Sequence, residues 1–151
     1  MQGLKSKSDL GVFVLAVTLA LVGGVFVSGI LMTSRTLASS GSIKAVNVGV
    51  YWDFDCTQNV TAIDWGVPGP GDVVNMTVYV KNSGNSGLVL NMSSNGWIPV
   101  EAENFLSLSW DVEGAAVEVD GVVQAVLVLE VSESITGITD FSFSIVIEGT
   151  G

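Results

Sequence analysis

Hydrophobic and polar positions along the chain change their period once. From Leu10 to Met32, LGVFVLAVTLALVGGVFVSGILM, 23 residues run without a charge between Asp9 and Arg35. At about 1.5 Å per residue a helix of that length covers roughly 35 Å, enough to cross a hydrocarbon core. After Ser42 the apolar positions recur at every second residue, the period of a strand with one buried face. Val46, Val48, Val50 and Trp52 share one parity and predict a first strand. Ala62–Trp65 predicts a short second one, and Val74, Met76, Val78 and Val80 a third. Leu88, Leu90 and Met92 follow, then Leu106, Leu108, Trp110 and Val112. Val123, Ala125, Leu127, Leu129 and Val131 predict a sixth strand, and Phe141, Phe143, Ile145 and Ile147 a seventh. Turn signals separate them: GVPGPGD at Gly66–Asp72, NSGNSG at Asn82–Gly87, and a bend at Trp97–Pro99.

That pattern divides the chain into a short basic head at 1–9, an apolar segment at 10–32, a polar linker at 33–42 and a β domain at 43–151. The fold expected is all-β: an Ig-like or jelly-roll-like antiparallel β-sandwich of about seven strands behind one N-terminal hydrophobic helix. About 110 residues suffice for one such core. Lys5 and Lys7 mark the head as cytoplasmic, which sets the chain N-in and C-out if the apolar segment is retained. As a secretory signal peptide the segment is long, yet Thr36-Leu37-Ala38 is a tolerable cleavage site, so anchor and cleaved leader both stand.

Charge narrows the partners. From Ala45 onward one base, Lys81, faces fourteen acids. Nucleic-acid binding requires clustered Lys and Arg, and this domain offers none. A single cysteine, Cys56, excludes an intrachain disulfide, and there is no histidine, the commonest general base and metal ligand. Without histidine the usual serine triad is unavailable, and no GxSxG is present, so the expectation is a non-enzymatic protein.

Three Asn-x-Ser/Thr triplets, at Asn59, Asn75 and Asn91, are glycosylation candidates; Asn75 and Asn91 take the polar parity of their strands. Asp53 and Asp55, with Glu101, Glu103 and Asp111, are the acidic side chains from which a Ca2+ site would draw oxygen ligands. A solvated acidic edge is the plainer reading of the same residues. Trp52 and Trp110 fall on apolar parity and are expected in the core, whereas Trp65 and Trp97 lie in turns and are candidates for a sugar-binding platform.

The stretch GVYWDFDCTQNVTAIDWGVPGPGDVVNMTVYVKNSGNSGLVLNM resembles small exported archaeal β-sandwich proteins. More distantly it resembles the TasA/camelysin group of biofilm fibre proteins and archaeal bundling pilins, through Pro70-Gly71-Asp72 and Lys81-Asn82-Ser83-Gly84. The resemblance covers residues 40–95. It implies a subunit that polymerises by adding its N-terminal strand to the next subunit's sheet, with Ile43, Val46, Val48, Val50 and Trp52 in the donor segment. Members of that group normally lose their leader. Archaeal type IV pilins and flagellins are a second comparison, joining a hydrophobic helix to a β-rich head. The expectation is therefore a cell-surface or extracellular structural protein that self-associates. The alternatives are a membrane-anchored adhesin that binds sugar or calcium, and a type IV pilin-like subunit.

Overall fold

The computed structural model describes residues 37–151; the segment Leu10–Met32, and with it the expected N-terminal helix, lies outside the described residues. Among the described residues no helix is long and apolar enough to cross a membrane. The chain there is all-β. Its strands are β1 (Ala38–Val46), β2 (Val48–Tyr51), β3 (Ala62–Gly66), β4 (Val73–Asn82), β5 (Leu88–Ile98), β6 (Leu106–Trp110), β7 (Ala116–Val117), β8 (Val122–Val131) and β9 (Asp140–Thr150). A 3-10 turn, Val100–Asn104, joins β5 to β6. Two sheets result, ordered β3-β1-β9-β5-β7 and β2-β4-β8-β6.

The alternating apolar residues place the core between the sheets. Val78 and Val80 on β4, Leu127 and Leu129 on β8, Leu90 on β5, and Ile145 and Ile147 on β9 are fully buried. Each such aliphatic side chain contributes roughly 1.5–3 kcal/mol relative to its exposed state.

The expected first strand is two strands. Asn47, at φ 61°, breaks it and carries the chain from one sheet to the other. Asparagine enters that left-handed region more readily than most side chains, and the Asn47 amide donates to the Gly149 carbonyl at 3.2 Å. Upstream, β1 starts at Ala38, inside the segment whose Ser and Gly content reads as a linker. Ser39 and Gly41 are both buried: the Ser39 hydroxyl donates to the Gly66 carbonyl at 3.2 Å, and large side chains fill the space opposite Gly41. A Cβ on Gly41 would stand 3.1 Å from Trp65 Nε1 and 3.3 Å from Ile145 Cδ1. Behind it Trp97 and Phe143 stack with ring centroids 4.1 Å apart, an arrangement that contributes about 0.5–1.5 kcal/mol beyond burial.

One tryptophan expectation is thereby reversed and one open question answered. Trp65 and Trp97 are core residues, whereas Trp52 is exposed at the surface. The strand ends at Tyr51, where the chain turns outward and the Trp52 N–H donates to the Gln58 carbonyl at 2.8 Å. Trp110 is buried as expected. The antiparallel expectation also has one exception: β1 runs parallel to β9 through nine register pairs, Ala38↔Asp140 to Val46↔Glu148. Parallel neighbours need a long crossover, and here the crossover is nearly the whole domain.

Candidate functional site

The loop between β2 and β3 gathers the most chemistry in the smallest space. Its organiser is Asp53. The Thr57 N–H donates to both carboxylate oxygens at 3.1 Å, the Thr57 hydroxyl donates at 2.7 Å and the Gln58 N–H at 2.8 Å. These donors hold the Asp53 pKa below the ordinary carboxylate value, the Thr57 hydroxyl most of all, with partial desolvation opposing. The loop closes as the Cys56 N–H meets the Asp53 carbonyl at 3.1 Å and the Val60 N–H meets the Val50 carbonyl at 2.9 Å. Cys56 sits at φ 56° and is half-buried.

Beside this loop the outer surface of the second sheet is aromatic. Trp52 is 38% and Phe54 66% exposed, and the Phe54 ring meets Tyr79 edge-on with centroids 6.0 Å apart. Tyr51 stands in register with Tyr79. This patch can stack on a flat apolar or sugar ring; it holds no paired acid and base for proton transfer. The parity pattern placed Trp52 inside, so the one available signal for the patch was the run of turn-forming residues Asp53–Gln58 directly after the strand.

The acidic candidates are dispersed. Glu101 and Glu103 lie exposed on the 3-10 turn, Asp53 and Asp55 on the β2–β3 loop, and Asp111 follows β6. Asp111 Oδ1 accepts the Val126 N–H at 2.7 Å, continuing along β8 where its neighbour β6 ends at Trp110. Glu113 does the same for the other sheet, accepting the Met92 N–H at 3.1 Å and the Trp110 indole N–H. Among the described residues no three His, Cys, Asp or Glu side chains converge to hold a metal ion.

A cleft of about 520 Å³ opens at one end of the sheets, between Asn47, the Ser83–Ser86 loop, Leu88 and Gly149. The Asn47 and Asn82 side chains that line it are already engaged. Asn82, fully buried, donates to the Ser86 carbonyl at 2.8 Å and the Val117 carbonyl at 3.1 Å, and accepts the Gly84 N–H at 2.9 Å. Asn82 thus clamps the β4–β5 hairpin. The other motif behind the family resemblance is equally a structural device. Pro70 and Gly71, at φ 81°, take the central positions of a type II turn, with the Asp72 N–H donating to the Gly69 carbonyl at 3.1 Å.

The remaining sequence candidates are placed as follows. Asn59, Asn75 and Asn91 are all exposed. Ile43 and Val46 lie in β1, paired with Ile145 and Glu148 of β9; Val48 and Val50 lie in β2, paired with Asn82 and Val80 of β4. In comparisons with known proteins the chain matches no protein-family model and no curated sequence.

Proposed function

We propose that this chain is a non-enzymatic structural protein of the cell surface or extracellular space, an Ig-like or jelly-roll-like domain displayed by its N-terminal apolar segment. The observation that carries the reading is where the fold begins. Leu37, five residues past Met32, is already 7% exposed and part of the core. A domain that starts so soon after the apolar stretch is suited to standing directly on a membrane. It also favours retention of the segment, because cleavage after Ala38 removes Leu37 from the core and the Ala38 N–H from its bond to the Thr139 carbonyl. In this arrangement the protein sits N-in and C-out.

A second reading, a filament subunit, draws on the place of β1. It is the first strand of the described chain and lies in a slot between β3 and β9. The same residues from another copy would satisfy the same slot, which is the geometry of strand exchange. Within one chain, however, Ile43–Tyr51 is committed to ladders with β9 and β4. Display as a self-contained domain is therefore the first reading. Size-exclusion and negative-stain imaging of the domain, with and without calcium, test it: monomers under every condition are expected, and fibres would overturn display in favour of strand exchange. Protease access on intact cells tests the location, and a fully protected domain would refute it.

A further inference from the structure

We propose that Asn75 and Asn91 carry N-linked glycans, one on the outer face of each sheet, with Asn59 a third acceptor on the β2–β3 loop. The proposal rests on the surface reading above, since glycosyl transfer requires export along a glycosylating route. It is carried by the conformation common to the three triplets. Asn75-Met76-Thr77 lies within β4 and Asn91-Met92-Ser93 within β5. Asn59-Val60-Thr61 is extended too, with the Val60 N–H on the Val50 carbonyl and the Ile43 N–H on the Thr61 carbonyl, both at 2.9 Å. In each triplet the middle residue turns inward: Val60 belongs to the core, and Met76 and Met92 pack against it. The asparagines and the hydroxyl residues two positions on, Thr61, Thr77 and Ser93, are all exposed. An extended chain sends residues i and i+2 to the same side, so amide and hydroxyl are presented together. The one fully buried asparagine, Asn82, is in no such triplet.

The neighbours of both mid-strand acceptors gain from a cover. Asn75 stands in register with Val128 and Thr77 with Val126, half-buried valines on the outward side of β8. Ser93 stands opposite Val146, in the same position on β9. A glycan on each face shelters these apolar positions and leaves contacts with other molecules to the sheet edges and loops. The co-substrate is an oligosaccharide activated on a lipid phosphate. The bond from asparagine Nδ2 to the sugar C1 forms as the C1–O bond to phosphate breaks; the phosphate leaves with the electron pair, and one amide proton passes to base. The modified amide keeps one N–H, with which Asn91 can still donate to Thr150 Oγ1, 3.3 Å away.

The test is intact and peptide mass of the protein isolated from the cells that make it, before and after chemical deglycosylation. Protease access is measured on the same intact cells. Both Asn75 and Asn91 are expected to carry glycan; Asn75→Gln and Thr77→Ala should each lose one glycan mass, as should Asn91→Gln and Ser93→Ala. Asn95→Gln, exposed but outside any triplet, should keep the full mass. A bare Asn75 or Asn91 overturns the proposal. If the bare protein is protease-accessible the surface reading survives alone; if it is also protected, both fall.

Discussion

Single side chains hold the loops of this domain, and two of them give measurable predictions. Asn82 serves two carbonyls and one N–H from a fully buried position. Asn82→Ala strands all three groups, and an unmade buried hydrogen bond costs about 1–3 kcal/mol. Denaturant unfolding should therefore show a loss of roughly 2–3 kcal/mol, with an unchanged midpoint contradicting the clamp. Asp53 acts through its charge. Its folded pKa lies below its unfolded value, so its stabilisation is complete above the ordinary carboxylate pKa and fades as pH falls through the folded one. Melting temperatures of wild type and Asp53→Asn should differ at neutral pH and converge well below about pH 4; a constant gap would rule out the carboxylate as cause. Neither role was visible in the sequence. Asp53 read as a metal-ligand candidate because a carboxylate near others has that chemistry, whereas its lone pairs are taken by Thr57 and Gln58. Ser39 and Gly41 read as linker because small residues give no periodic signal; only the rings of Trp65 and Phe143 opposite Gly41, and the Gly66 carbonyl that accepts the Ser39 hydroxyl, make them core positions.

At the scale of elements, the legible strands were those that carry their own alternation. β9 buries every second residue from Phe141 to Gly149, β8 does so from Ala125 and β4 from Val78, and the apolar pattern locates all three. β7 has two residues and no period to detect. The break at Asn47 was hidden because valines continue at even spacing through it, although the chain changes sheets there. β1 was concealed by its own composition, and it is the strand with most to test. If Leu37 and Ala38 complete the fold, a domain beginning at Ser39 should be less stable than one beginning at Leu37. Burial of a leucine is worth about 1.5–3 kcal/mol, and the lost strand end adds to it. Equal unfolding midpoints for the two domains would remove the argument for retaining the apolar segment.

For the whole molecule the dominant quantity is charge. Fourteen acids face only Lys44 and Lys81 in residues 37–151. The acids are spread over loops and outward strand positions, among them Asp55, Asp64, Glu101, Glu103, Glu118, Asp120 and Glu148, all exposed. Gathering so much like charge onto one compact surface costs free energy that the expanded unfolded chain largely avoids. Salt relieves it, since the Debye length falls from about 30 Å at 0.01 M to about 3 Å at 1 M. The melting temperature should therefore rise with NaCl over that range. For a domain of this size each kcal/mol of relief corresponds to about 4–8 °C, and a rise of roughly 5 °C is expected. The double substitution Glu101→Gln and Glu103→Gln, on an exposed turn with no structural hydrogen bond to lose, should raise the low-salt melting temperature and flatten the salt dependence. A wild-type melting temperature indifferent to salt would mean that these carboxylates are already compensated by bound cations. The surface would then have to be reconsidered as an ion-binding one, and calcium titration followed by calorimetry would be the measurement to make.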